Sequence, residues 1–198
     1  MKLCEITAAA KVIPVVVIDD LSKTESMLGS LMEGGIPAAE ITLRTPCALD
    51  AIKLAHKTFP DMYVGAGTVI NAQQAKAAIE AGACFIVSPG LSAGVAEVCK
   101  EADVPYIPGC VTPTEIMQAL ELGITTLKFF PANVYGGLSA IKALAAPFTQ
   151  VKFMPTGGVS YDNLKEFVDY DKIAAVGGSF MMKGDIVANC KRILEIIG

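Results

Sequence analysis

Three segments of this chain end alike: Glu33-Gly34-Gly35, Glu80-Ala81-Gly82 and Glu121-Leu122-Gly123. Each closes a stretch with helical spacing of apolar residues, and each is followed within a few residues by a short apolar run. Glycine commonly sits just past a helix C-terminus, so the repeat reads as helix, tight loop, strand. Extended along the chain, the same reading gives eight strands, at Val12–Ile18, Ala38–Arg44, Met62–Ala66, Cys84–Val87, Pro105–Pro108, Thr125–Ala132, Val151–Pro155 and Ile173–Val176. A helix is expected after every one. Asp19, Asp20 and Ser22 offer caps to the first, and Thr45-Pro46 opens the second with proline in its first turn. Asn71 caps the third, the fourth runs from Ser92 to Glu101, and Thr112-Pro113-Thr114-Glu115 is a capping box for the fifth. The last three are expected around Leu138–Leu144, from Ser160, and over Ile186–Ile197. Uninterrupted apolar strands alternating with helices suit a parallel sheet covered on its faces. Eight such pairs predict an α/β chain closed into a (β/α)8, or TIM, barrel. An open doubly wound sheet would want a glycine-rich first turn, and Asp19-Asp20-Leu21-Ser22 lacks one.

The length of 198 residues suits a single compact domain of this kind, and an apolar content of 53% supplies its core. A net charge of −4 gives no support for binding nucleic acid. No uncharged apolar run reaches membrane-spanning length. The acid at Glu5 interrupts any secretory leader beginning Met1-Lys2-Leu3-Cys4. Cys4, Cys47, Cys84, Cys99, Cys110 and Cys190 form no C-x-x-C pair, and His56 is alone, so no metal cluster is expected. Cys84 and Cys110 read as small core residues. These features together predict a cytoplasmic protein with reduced thiols.

Against this apolar background one strand stands out. Thr125-Thr126-Leu127-Lys128-Phe129-Phe130-Pro131-Ala132 carries a lysine at its centre. Strand side chains alternate, so Lys128 shares a face with Thr126 and Phe130, opposite Leu127 and Phe129. A lysine in an apolar wall loses hydration, which disfavours its charged form. Such an amine is a nucleophile suited to forming a Schiff base with a carbonyl compound. A sheet-edge lysine whose amine reaches water is the other reading of this strand alone.

The second strand narrows the choice. In Glu40-Ile41-Thr42-Leu43-Arg44 the polar residues occupy every second position, which puts Glu40, Thr42 and Arg44 on one face. In a barrel that face is the interior, where unpaired charges are costly. Glu40 and Arg44 could form a structural pair, or they could meet Lys128 across the barrel. Thr68 and Pro89 fall at the exits of strands three and four, where such barrels build their sites. A cap and a rigid loop are the plainer readings of these two. Thr156-Gly157-Gly158 and Gly177-Gly178-Ser179 follow strands seven and eight, where bare backbone and a helix N-terminus often hold phosphate. Tight turns alone would also explain them. His56 reads as a solvated or packed helix residue without a role, and the remaining lysines read as surface charges.

Taken together, these stretches resemble the class I aldolase family of 2-keto-3-deoxy-6-phosphogluconate (KDPG) and 2-keto-4-hydroxyglutarate (KHG). The matching segments are Glu40–Pro46, Val64–Val69, Val87–Gly90, Ile107–Gly109, Leu127–Ala132, Pro155–Val159 and Gly177–Ser179, in family order along nearly the whole chain. The resemblance implies that Lys128 forms the Schiff base and that Glu40 is the general acid/base. It implies that Arg44 and Thr68 hold the pyruvate carboxylate. Pro89, Phe130 and Thr156 become further substrate-wall candidates, and Gly157, Gly158, Gly178 and Ser179 become phosphate-wall candidates. It also implies a homotrimer needing no metal or cofactor, acting on a keto acid and an aldehyde phosphate in the Entner–Doudoroff pathway. Little of the family's leading helix is expected here. Where some members carry an arginine at the end of the first strand, this chain has Val16-Val17-Ile18. A phosphosugar epimerase or decarboxylase, or a non-catalytic sugar-phosphate binding protein, are the alternative functions on such a barrel. The former would call for metal ligands or an Asp–Lys array that the sequence does not display.

Overall fold

The computed structural model describes residues 3–198; Met1, Lys2 and the side chains of Leu3, Cys4 and Ala8 lie outside that description. Eight strands alternate with helices: β1 Val12–Val16, β2 Ala38–Thr42, β3 Tyr63–Gly67, β4 Ile86–Val87, β5 Tyr106–Ile107, β6 Thr126–Phe129, β7 Lys152–Pro155 and β8 Val176–Gly178. Helix α1 (Leu3–Ala9) precedes them. One α-helix follows each strand: α2 Thr24–Glu33, α3 Ala48–Thr58, α4 Ala72–Glu80, α5 Ala93–Glu101, α6 Pro113–Glu121, α7 Gly137–Ala145, α8 Leu164–Val168 and α9 Ile186–Ile197.

The strands pair in parallel in the order β5-β4-β3-β2-β1-β8, with β6 beside β7. Two seams join these groups into a ring. At the first, Gly109 bridges Lys128, whose N–H donates to the Pro108 carbonyl at 2.8 Å. At the second, Phe153 bridges Ile173 and Thr156 bridges Gly177. The result is the expected (β/α)8 barrel. No helix among the described residues is long and apolar enough to cross a membrane.

Two apolar cores follow from strand alternation. The larger lies between the sheet and the helices, and includes Val16, Ile41, Leu127, Phe129 and Phe153. The smaller fills the barrel: Ile13, Phe85, Val87, Ile107, Met154 and Ala175, joined by Ile6 from α1. Seven residues of leading helix are thus present, packing the buried Ile6 side chain against the inner core.

Two inward positions of β3, Gly65 and Gly67, are glycines for a steric reason. A Cβ on Gly65 would collide with the Phe85 ring, and a Cβ on Gly67 with the Glu40 carboxyl. The missing side chains of β3 are the space into which an aromatic ring and a carboxylate fit.

Several boundaries differ from the sequence expectation. Strand β2 stops at Thr42, because the Arg44 N–H turns back to the Thr42 carbonyl at 2.8 Å. Arg44 therefore lies in a turn beyond the strand. The next helix begins at Ala48 rather than at Thr45-Pro46, since the Thr45 hydroxyl and the Cys47 thiol both donate to the Ile18 carbonyl and hold that segment against the β1 exit. Ser160 does not start a helix. The Asn163 side chain accepts from the Ser160 N–H and donates to the Gly158 carbonyl, which keeps the segment in turns until Leu164. The eighth strand is shifted forward, so Gly177 and Gly178 pair with Ile13 and Pro14 inside the sheet instead of following it. The capping box forms as expected. Burial pushes the Glu115 carboxyl up, and the bonds it accepts from Val111 and Thr112 outweigh this and leave it below its usual range.

Candidate active site

Lys128 and Glu40 meet inside the barrel. The Lys128 Nζ lies 3.1 Å from the Glu40 Oε1, with the residues 5% and 0% exposed respectively. The edge-strand reading of Lys128 is thereby ruled out. Two features fix the pair. Lys128 is bonded through its backbone on both sides of the β5–β6 seam, by Pro108 and Cys110. Glu40 lies against Gly67, where any side chain would displace it. The second carboxylate oxygen, Oε2, is buried without a protein partner. The Phe130 ring sits with its centroid 5.3 Å from the Lys128 ammonium, an attractive cation–π distance. Breaking a buried pair of this kind is costly, because it strands the remaining charge.

Arg44 stands at the mouth, exposed, and its Nε donates to the Thr68 hydroxyl at 3.1 Å. Thr68 holds a φ of +60°, a conformation that β-branched residues rarely adopt. Strain of this kind persists only where the surroundings impose it, and it gathers at functional sites. Here it presents the Thr68 hydroxyl to the guanidinium and leaves the outer nitrogens of Arg44 free to grip a carboxylate in a forked contact.

A cleft of about 300 Å³ opens above the pair. Arg44, Lys128, Phe130, Thr156, Gly157, Gly158, Gly178 and Ser179 all line it. The structure thus gathers most of the expected residues around one space. Glu40 reaches the cleft through Lys128, and Thr68 through Arg44. Pro89 is the exception. It is exposed at the β4 exit and outside the cleft wall, with its carbonyl where a Cβ on Gly109 would go. Gly157 and Gly158 have φ of +92° and +77°, and a Cβ on Gly158 would strike Asn133. Backbone alone can form that wall. The Thr156 hydroxyl is buried without a partner, beside Gly177.

Four wall residues were not anticipated from sequence: Val15, Val159, Phe180 and Lys183. The first two look like ordinary core residues in the chain. Lys183 was read as a surface charge, and the only signal against that reading was its place four residues past Ser179 in a strand-exit segment. No cysteine competes as a nucleophile among those whose thiols shift. Burial pushes Cys84 and Cys190 up to about 11, and Cys99 and Cys110 up to about 12, so all four are thiols near neutral pH. Cys84 is only half-buried, short of the core position expected for it.

The steric argument at Gly67 is testable. Gly67→Ala is expected to lower turnover by roughly 10²-fold, the scale of an ångström-sized misplacement of a reacting group. Lys128 stays in place in that variant, so covalent capture of a keto acid should persist while turnover falls. Unchanged turnover would show that the Glu40 position is not critical.

Comparison with known proteins agrees with this geometry. Residues 3–196 match the family model of KDPG and KHG aldolase. Over 180 residues the chain is 41% identical to the KHG/KDPG aldolase of Escherichia coli K12, spanning 91% of this chain and 84% of that one. The KDPG aldolase of Zymomonas mobilis ZM4, solved with 3-phosphoglycerate, superposes with a TM-score of 0.92 at 39% identity, over 97% of this chain and 94% of that one. The KDPG aldolase of Legionella pneumophila was solved with pyruvate captured as a covalent carbinolamine. It superposes with a TM-score of 0.91 at 38% identity, over 100% and 97% of the two chains. With a family model spanning nearly its whole length and relatives this close, the chain belongs to the KDPG and KHG aldolase family.

Proposed function

We propose that this chain is a class I aldolase that reversibly cleaves KDPG to pyruvate and glyceraldehyde 3-phosphate, with KHG as a second substrate giving pyruvate and glyoxylate. The observation that carries the reading is the buried 3.1 Å pair of Lys128 and Glu40 facing a cleft with an arginine at its mouth. An amine beside a carboxylate can hand over its proton and attack a ketone. Lys128 Nζ adds to C2 of the substrate, the former carbonyl oxygen leaves as water, and a protonated imine remains. Glu40 takes the C4 hydroxyl proton. The C3–C4 bond then breaks, its electron pair moves toward the imine nitrogen, and the aldehyde departs from an enamine. Glu40 returns the proton to C3, and water hydrolyses the imine to free pyruvate and the amine.

In this reading Arg44 and Thr68 hold the C1 carboxylate. Phe130 and Thr156 wall the reacting carbons, and Pro89 acts only by shaping the β4 exit. Gly157, Gly158, Gly178 and Ser179 form the wall for the distal phosphate. Residues 1–198 act as a single (β/α)8 aldolase domain, assembled as a homotrimer in the cytoplasm and requiring no metal or cofactor. The family resemblance supports these last points.

Pyruvate with borohydride is the direct test. The expected product is a chain heavier by one reduced pyruvate adduct, located on Lys128 by peptide mass. No adduct, or an adduct elsewhere, refutes the mechanism. Pyruvate release measured on KDPG, its C4 epimer and KHG then ranks the substrates.

A further inference from the structure

Of the cations that line the cleft, Arg44 and Lys128 have partners in Thr68 and Glu40. Lys183 has none: among the described residues its ammonium meets no carboxylate within ion-pair distance. Its backbone is nevertheless fixed. Residues Phe180–Met182 form a single 3-10 turn after β8, and the Asn189 side-chain amide, reaching back from α9, donates to the Met181 carbonyl at 3.0 Å and the Lys183 carbonyl at 2.7 Å. Phe180 is braced in turn by an edge-on contact with Tyr161 at 5.0 Å, and Tyr161 carries the Arg192 guanidinium 4.2 Å above its ring. A segment with an unpaired cation at its end is thus clamped at the rim of the cleft. Lys183 follows β8 and lines the same cleft that Lys128 enters from β6, with β7 between the two strands. Lys183 therefore borders the cleft away from the strand that carries the reacting amine.

We propose that Lys183, positioned by Asn189, is the charge that selects substrates with a distal dianionic group, and so sets the preference for a phosphorylated aldehyde over an unphosphorylated one. This rests on the aldolase reading for its substrate. The backbone wall at Gly157, Gly158, Gly178 and Ser179 can donate hydrogen bonds to an oxyanion, and it carries no formal charge. Lys183 supplies the positive charge that distinguishes a phosphate from a hydroxyl. Asn189 acts only through the loop.

The test uses Lys183→Met, Lys183→Arg and Asn189→Ala in the full chain. Lys183 is exposed, so neither of its substitutions disturbs the core. In the condensation direction, Lys183→Met should raise the KM for glyceraldehyde 3-phosphate about 10-fold, the scale of one hydrogen bond to a charged group. The loss should fall on KM rather than kcat, and unphosphorylated glyceraldehyde should be affected far less than the phosphorylated aldehyde. Lys183→Arg should restore most of the loss. Asn189→Ala should weaken the phosphorylated aldehyde in the same direction, again through KM. Binding of 3-phosphoglycerate, followed by calorimetry, should weaken equally in Lys183→Met, and this readout needs no turnover. Equal effects on both aldehydes, or unchanged 3-phosphoglycerate binding, overturn the proposal. If pyruvate is captured by borohydride but 3-phosphoglycerate binding ignores Lys183, only the Lys183 inference falls. If 3-phosphoglycerate binds through Lys183 but no pyruvate adduct forms, the aldolase reading falls and the anion site stands.

Discussion

Lys128→Met is expected to abolish aldol cleavage, with kcat reduced by roughly 10⁴-fold or more, on the scale seen when a covalent nucleophile is removed. Methionine has nearly the length of lysine and no nucleophilic nitrogen, so the cleft keeps its shape while the imine cannot form. The borohydride adduct should vanish along with turnover. The same substitution carries a cost in stability. It leaves the buried Glu40 carboxyl without its counter-ion, and removing one partner of a buried pair destabilises a fold by about 3–5 kcal/mol. Urea unfolding should therefore shift to a lower midpoint with an unchanged slope. The double variant Glu40→Gln/Lys128→Met removes the stranded charge, and should recover most of that stability without recovering activity. This separates the chemical role of the amine from its role as a counter-ion. Substantial turnover in Lys128→Met, with folding intact, would exclude the Schiff-base mechanism.

The part of this site carried by strand alternation could be read from the chain. Glu40 and Lys128 fall inside regular strands, so a period of two was enough to turn both inward. The helix ends at Gly34-Gly35, Gly82 and Gly123 were legible because glycine at such positions has one common meaning. Arg44 was legible as a cleft residue for a partly mistaken reason. The strand ends before it, and its side chain reaches the cleft mouth from a turn held by Thr42 and braced by Thr68. The Gly177-Gly178 pair misled in the opposite way. A glycine pair signals close approach, and here much of that approach is strand pairing with β1 and contact with Thr156 rather than an open loop. Lys183 was missed because nothing local separates a lysine at a cleft rim from one on a surface. Its placement depends on Asn189 and on the Phe180–Tyr161 contact, which join segments with no shared periodicity. Chain-local rules fix which face a residue takes; long-range packing decides what that face meets.

Glu40→Gln tests the other half of the chemistry. The amide keeps the size of the carboxylate, and its oxygen can still accept from the Lys128 side chain, so the hydrogen bond should survive at similar spacing. What is lost is a group able to take and return a proton. Positioned acid–base catalysis contributes about 10²–10⁴-fold, so cleavage and solvent exchange at pyruvate C3 should both slow by roughly 10³-fold. Imine formation itself needs mainly the amine and the carboxylate grip of Arg44 and Thr68, and borohydride capture should remain measurable. The contrast follows from the geometry. Glu40 has one oxygen on the Lys128 ammonium and a second, Oε2, without a protein partner. A proton can therefore be held on Oε2 while Oε1 stays bonded to the nitrogen. If C3 exchange in Glu40→Gln runs at the wild-type rate, the proton must travel by another route, and the hydroxyls of Thr68 and Thr156 are the groups to replace next. If capture and exchange fall together by the same factor, Glu40 serves to activate the amine rather than to move the carbon-bound proton.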